Sequence, residues 1–423
     1  MLNLISNYPK YSKIKLLVVT QFLHLCASLN LERYLVTVLS VENTMIRIGF
    51  DAKRLFTDLT GFGSYSRTII RNLLKHFPNN QYVLFTPEIT HSKVEKDFLN
   101  HGSINIVSPH NFSKFLWRST GIWFDLKREN IDLFHGLTHE IPRAVNFSNV
   151  PKVVTICDVV YRHFPEQYNT KIIQDKDKAL LNACNSADKI VAISHSTKQD
   201  LVNLFHIDPS KINVIYPSHD IRFSEHIPTD KVSLTKRQYH LPDKYFLYLG
   251  SVTERKNLLS AVKAIELLSP EDRLPLVVVG KHAAYAATVI DYVRNNNLKK
   301  SIQFKQVDAD ADLPAIYRGA EIFIYPSLFE GFGIPVLEAL CSGLPVITSN
   351  ISSLPEVAGP NSRLIEPNEP DTIAEAISNI LGSSDLRTKM ISSGYQHANN
   401  FNSKKLTNQL VDLYSRCIEE KTV

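Results

Sequence analysis

Four apolar residues, Ile322 to Tyr325, run into Pro-Ser-Leu-Phe-Glu-Gly-Phe-Gly and then Ile-Pro-Val-Leu-Glu-Ala-Leu, a succession that restricts the fold more than any other stretch. The run reads as a buried strand, residues 326 to 333 as a glycine-containing loop, and Pro335 suits the first turn of a helix. A helix start with unpaired N–H groups then stands beside an open loop, where amides and helix dipole both favour phosphate. Glu330 in the loop and Glu338 in the helix are able to accept hydrogen bonds from sugar hydroxyls, so this one segment can span a nucleotide sugar from hexose to ribose.

The same strand, turn and helix unit recurs. Strands are expected at 46–51, 131–134, 152–156, 189–193, 212–216, 245–249, 275–280 and 345–348, and helices at 66–75, 172–184, 285–295, 313–318, 371–381, 385–398 and 403–417. Every candidate motif follows a strand, as ligand sites in doubly wound sheets do. At 423 residues the chain is too long for one ordinary core and fits two domains of roughly 200 residues each. The predicted fold is therefore α/β, with two doubly wound Rossmann-like domains and an interdomain cleft. The expected boundaries are 45–230 and 231–400, with the polar stretch 218–236 as linker and a closing helix over 401–423.

Composition narrows the function. A hydrophobic fraction of 44% and a charged fraction of 21% suit a globular protein. The net charge of +5 suits anionic nucleotide sugars or an anionic membrane surface and gives no argument for nucleic acid. Five scattered cysteines without C-x-x-C spacing point to a reducing cytoplasm rather than to a disulfide framework or a zinc site.

Glu330 and Glu338, with seven residues between them that include Gly-Phe-Gly-Ile-Pro, resemble the E-x7-E signature of the retaining glycosyltransferases of family four, which have the GT-B fold. The resemblance covers about Met45 to Phe401. It implies that Glu330 contacts the donor hexose and Glu338 the nucleotide ribose, with Gly331, Phe332, Gly333 and Ile334 along the donor. After strand 245–249, Gly250-Ser251-Val252-Thr253-Glu254-Arg255-Lys256-Asn257 places two cations where a diphosphate can be neutralised. In the family such an Arg and Lys stabilise the departing nucleoside diphosphate. Many members carry the Arg where Ser251 stands, and the adjacent Arg-Lys form resembles a mannosyltransferase-like branch. Gly61 and Gly63 lie in a turn that in the family faces the cleft.

Two family positions differ. Thr155-Ile156-Cys157-Asp158 has Cys157 where a His commonly reaches the acceptor, which leaves Asp158 with His135 or His139 to share that role. His195 stands where Glu is usual. The resemblance implies a hexosyltransferase using GDP- or UDP-hexose as substrate, mannose from GDP-mannose being the expectation, without metal or cofactor, toward a glycan or lipid-linked acceptor of a cell-surface polysaccharide. The alternatives are an inactive nucleotide-sugar-binding subunit and a sugar-nucleotide epimerase.

Three stretches remain. Residues 1–44 are expected to be a poorly ordered extension outside the family pattern, with an amphipathic membrane-associating prefix as the alternative. The basic aromatic stretch Asn111 to Lys127 reads as a helix packing its rings inward, or as a peripheral membrane contact on the inner face. Asp308, Asp310 and Asp312 precede a helix and are expected to cap it rather than bind metal. Ser194 or Ser196 is expected to cap the helix that follows it.

Overall fold

The computed structural model describes residues 45–58, 60–89, 96–99, 101–109, 113–307 and 310–422. The extension expected over 1–44 lies outside the described residues, as do Leu59, Asn111, Phe112, Asp308 and Ala309. Residues Arg47 to Val423 form one compact unit built on two parallel sheets.

The first sheet holds β1 (Arg47–Asp51), β2 (Gln81–Phe85), β3 (Ile104–Val107), β4 (Leu133–Gly136), β5 (Lys152–Ile156), β6 (Lys189–Ala192) and β7 (Ile212–Val214), in the order β3-β2-β1-β4-β5-β6-β7. The second holds β8 (Phe246–Leu249), β9 (Leu276–Val279), β10 (Ile302–Lys305), β11 (Ile322–Tyr325), β12 (Val346–Ser349) and β13 (Arg363–Ile365), in the order β10-β9-β8-β11-β12-β13. Strands inside such sheets are covered by helices on both faces and read as unbroken apolar runs. β5, β9 and β11 are buried along their whole length. The sequence expectation omits β2, β3, β10 and β13. Three of these are edge strands, and their partly exposed Asn105, Gln303 and Arg363 break the apolar run. β2, Gln-Tyr-Val-Leu-Phe, is an inner strand whose apolar run is plain in the sequence.

Two expected segments are redrawn. The stretch 218–236 is not all linker, since Thr229–Gln238 forms a helix packed on the Leu313–Arg318 helix. The helix expected at 66–75 spans Gly61–His76, which places both glycines in its first turn.

The Ser403–Thr422 helix lies against the first sheet. Tyr414 is fully buried and its hydroxyl is 2.6 Å from His135 Nδ1, while His135 Nε2 is 2.8 Å from the Thr155 hydroxyl. Burial lowers the His135 pKa to about 3, so the ring is neutral and one nitrogen donates while the other accepts. His76 Nε2 pairs with the Ser403 hydroxyl at 3.0 Å, and Lys421 reaches Asp188 at 3.0 Å. Tyr414→Phe leaves a buried imidazole nitrogen unpaired and is expected to cost about 1–3 kcal/mol, read as a lower urea midpoint at unchanged slope.

Candidate functional site

The second sheet changes winding direction between β8 and β11, and the carboxyl ends of these neighbours carry the candidate donor residues. After β8 the chain makes a turn at Glu254–Lys256, ended by Asn257 in the left-handed region at φ 52°. The Asn257 amide donates to the Pro367 carbonyl at 2.6 Å, which anchors the turn. After β11 comes the loop containing Glu330.

The two turns meet on one carboxylate oxygen. Glu330 Oε1 accepts from Lys256 Nζ and Arg255 Nη1, each at 3.0 Å, from the Ser327 hydroxyl at 2.8 Å and from the Tyr325 hydroxyl at 2.9 Å. Lys256 also donates to the Tyr325 hydroxyl, and Arg255 to the Phe329 carbonyl. Burial alone would push the Glu330 carboxyl up, but Lys256, Arg255 and Ser327 outweigh it and hold its pKa at about 2. Burial draws the Lys256 ammonium down against the pull of Glu330. Glu330 is therefore an anion with two cations at bonding distance, at a strand end where charge-assisted bonds are strong.

Serines brace the loop. Ser352 Oγ accepts from the Glu330 amide at 3.1 Å, and Ser353 Oγ lies 2.8 Å from the Glu330 carbonyl and 2.9 Å from that of Phe332. Ser349 donates to the Ser327 carbonyl at 2.7 Å. Gly333, at φ 110°, then turns the chain into the Ile334–Cys341 helix. Glu338 sits on that helix, half-buried, and accepts from the Tyr317 hydroxyl at 3.0 Å. The Phe332 side chain is buried against Tyr216 and Phe401, which leaves only its backbone for a ligand.

The first domain closes on this loop. A Cβ added to Gly331 would lie 2.3 Å from the Cys157 carbonyl oxygen, so only glycine permits this approach. The His163 ring stacks on Phe329 with centroids 4.2 Å apart. Asp158, at the end of β5, faces Gly331 and interacts electrostatically with Arg255.

The histidine alternatives separate clearly. His135 is locked inside the first domain, whereas His139 lies at the cleft, where its Nε2 accepts from the Cys157 amide at 2.9 Å and its ring packs on Phe62. Burial lowers the His139 pKa against the pull of Asp158, so the ring is neutral and its proton sits on Nδ1. The Cys157 thiol is buried, and burial with Asp158 pushes its pKa well up, so it stays protonated near neutral pH. Gly63 serves packing: a Cβ there would meet the Asp58 carbonyl at 1.8 Å, while one on Gly61 would meet nothing within 4 Å. Gly250 packs beside the Lys256 stem and the Tyr325 ring.

Three groups escape sequence reasoning because they join distant segments. At the switch point of the first sheet, between β1 and β4, Arg118 bonds Asp51 at 2.7 Å and Glu140 at 2.9 Å. Glu356 joins the two domains: its carboxylate oxygens accept from the His195 and Ser196 amides at 2.8 Å each. Ser194, not Ser196, caps that helix through the Thr197 amide. Asp312, expected as a cap, makes no cap bond and instead accepts from Lys231 at 2.9 Å and the Tyr239 hydroxyl at 2.9 Å. Among the described residues no group of His, Cys, Asp and Glu is placed to hold a metal.

The aromatic stretch divides. Trp117 is buried and donates to Asp125 at 2.6 Å, as an inward-packing helix requires. Leu116 and Phe124 are exposed by 52% and 63%, and Phe147, on the separate turn Arg143–Phe147, by 78%.

The Glu330 carboxyl titrates near 4.5 unfolded and near 2 folded, so its contribution to stability is complete above 4.5 and lost as pH falls toward 2. Replacing it by Gln removes that pH dependence. The stability gap between wild type and Glu330→Gln, on the order of 3 kcal/mol at pH 7, is expected to narrow between pH 5 and pH 3 in denaturant titrations. A gap independent of pH would contradict the ion cluster.

Residues 66–223 match the family model described as Glycosyltransferase Family 4, and residues 234–397 the model described as Glycosyl transferases group 1. O-antigen chain mannosyltransferase B of Escherichia coli is 26% identical over 388 residues, which cover 87% of this chain and 99% of that protein. A solved glycosyltransferase from Rickettsia africae aligns with a TM-score of 0.72 at 21% identity, covering 89% of this chain and 99% of its own. Anabaena Alr3699/HepE in complex with UDP-glucose aligns at 0.71 and 16% identity, covering 88% of this chain and 100% of its own. The structural likenesses show the shared two-sheet fold, and the two family models divide between the two sheets. The chain belongs to the family-four glycosyltransferases, enzymes of the GT-B fold that transfer a hexose.

Proposed function

We propose that this enzyme moves mannose from GDP-mannose, with retention, onto the glycan of a growing cell-surface polysaccharide. The observation that carries the reading is the joint placement of Arg255, Lys256 and Glu330 at the ends of β8 and β11, closed over by Asp158. The similarity to an O-antigen mannosyltransferase supports the choice of sugar and polysaccharide.

In this reading the diphosphate lies against Arg255 and Lys256, the hexose against Glu330 and the ribose against Glu338. Among the described residues every hydrogen bond to the Glu330 carboxylate falls on Oε1, which leaves Oε2 for a sugar hydroxyl. The amides of Gly331, Gly333 and Ile334, with Gly250, Gly61 and Gly63, border the same donor. As the bond from the anomeric carbon to the diphosphate oxygen breaks, the two cations stabilise the charge gathering on that oxygen. The acceptor hydroxyl attacks from the face the diphosphate leaves, and its proton passes to the departing phosphate. Cys157, held as a thiol, takes no part as a base. Asp158 and the neutral His139 border the acceptor hydroxyl and orient it.

The acceptor enters along the first sheet, where Asp51, Arg118 and Glu140 offer carboxylate and guanidinium groups suited to sugar hydroxyls. The exposed Leu116, Phe124 and Phe147, with Lys114 and Arg143 on the same elements, favour a lipid-linked acceptor met at a membrane surface. No helix among the described residues is long and apolar enough to cross a membrane.

Calorimetric titration is expected to show GDP-mannose bound more tightly than UDP-glucose, with Glu338→Ala and Lys256→Ala each weakening it about tenfold or more. Lys256→Ala is also expected to lower turnover by about 100- to 1,000-fold, as loss of one charge-stabilising donor does. UDP-glucose as the sole sugar donor bound would overturn the choice of donor. Binding indifferent to both substitutions would overturn the placement of the donor.

A further inference from the structure

Glu356 joins the donor domain to the acceptor domain at one helix end. The His195–Phe205 helix belongs to the first domain, and its Ser194 side chain already caps Thr197. Two of its remaining orphan amides, on His195 and Ser196, point at Glu356 of the second domain and are bound at 2.8 Å, one by each carboxylate oxygen. The Tyr216 hydroxyl, from the end of β7, completes the clasp at 3.0 Å. A carboxylate between two amides at a helix N-terminus is favoured by charge-assisted bonding and by the helix dipole together.

The clasp is wired to both halves of the reaction site. Thr197, in the clasped turn, places its hydroxyl 3.2 Å from the Cys157 carbonyl and 3.5 Å from the Gly331 carbonyl, so acceptor turn and donor loop share one side chain. On the other side, Ser352 and Ser353 hold the backbone of Glu330 three to four residues ahead of Glu356. Ser352 adopts φ 54°, a left-handed conformation that costs a non-glycine residue energy and persists only when its surroundings enforce it. His397 Nε2 lies 3.0 Å from the Glu356 carbonyl and fixes the far end of the segment.

We propose that Glu356 is a positioning residue for glycosyl transfer: by bridging the His195 and Ser196 amides it sets the Glu330 loop at reacting distance from the Cys157–Asp158 turn. The charged donor contacts, Arg255, Lys256, Glu330 and Glu338, all belong to the second domain, so they survive without the clasp. Transfer does not, because it needs both turns in register, and a misplacement of about 1 Å between reacting groups costs on the order of 100-fold. Glutamine keeps the length of the side chain but has only one acceptor oxygen for two amides.

The inference rests on the donor placement given under Proposed function, and one arm of its test does not. Spin labels at Gln174→Cys and Glu375→Cys, exposed on the first and second domains, report the interdomain distance in the full chain with Cys26→Ser as background. Glu356→Ala is expected to lengthen and broaden that distance distribution, Glu356→Gln to do so less, and Tyr216→Phe least. In turnover, the Ala variant is expected to lose about 10- to 100-fold in kcat while its donor Kd stays within about twofold of wild type, with Gln intermediate. A distance distribution unchanged in the Ala variant overturns the proposal. So does a loss of turnover matched by an equal loss of donor affinity or of thermal stability, since that is a fold effect. A wild type inactive with GDP-mannose would instead retire the donor reading and leave the distance arm to decide.

Discussion

A carboxylate withdrawn from water beside two cations sets the terms for the rest of this molecule. The Glu330 side chain is only 13% exposed, and a carboxylate so withdrawn from water without partners is costly enough that it would take up a proton instead. It stays ionised because β8 and β11 end side by side and deliver Arg255 and Lys256 to the same oxygen. Buried ion pairs of this kind are poor investments in stability, since desolvation offsets most of the Coulombic gain. Under the proposed function their use is preorganisation: the cations are already fixed when charge develops on a leaving phosphate, and nothing need reorient at that moment.

The parallel sheets make this arrangement possible. In each sheet the strand order reverses at one point, β1 with β4 and β8 with β11, and the loops diverge there to leave a crevice. The candidate donor residues occupy the crevice of the second sheet. The Asp51, Arg118 and Glu140 cluster occupies the corresponding place in the first. β5 adjoins β4 on the far side from β1, and its end carries Asp158 against Gly331. Two strand spacings of about 4.8 Å therefore separate the end of β1, which carries Asp51, from the end of β5, which meets the Glu330 loop, by roughly 10 Å.

What was legible in the sequence was what is local along it. The stretch from Tyr325 to Leu344 announces strand, loop and helix in twenty residues, and the helix does start at Ile334 behind Gly333. Most inner strands were legible because burial on both faces leaves them apolar throughout, β2 being the one inner strand missed, while the half-exposed edges at β3, β10 and β13 gave no such signal. Choosing between His135 and His139 needed the fold, because four residues of sequence decide whether an imidazole is sealed under Tyr414 or set beside Asp158. Glu356 could not be singled out from its own stretch of sequence, because its partners lie 140 to 161 residues away. Asp312 shows the opposite error: a residue type that favours caps was drawn off by Lys231 and Tyr239, which no local rule foresees.

The thiol at Cys157 draws these strands together. Its side chain is buried and protonated, its carbonyl touches Gly331, and its amide donates to His139. Its close approach to Gly331 and its bond to His139 are therefore both made by its backbone, which any residue could supply. A side chain that is neutral and turned inward removes the obvious base from the acceptor side. The His139 imidazole that stands nearby is also neutral, and its Nε2 lone pair is already engaged by the Cys157 amide. Under the proposed function, proton removal from the acceptor then falls to a group that arrives with the substrate. The departing phosphate is such a group, and its basicity rises as the glycosidic bond opens. On this argument the protein's task is to hold two domains and one diphosphate in place, and the chemistry of the base belongs to the donor.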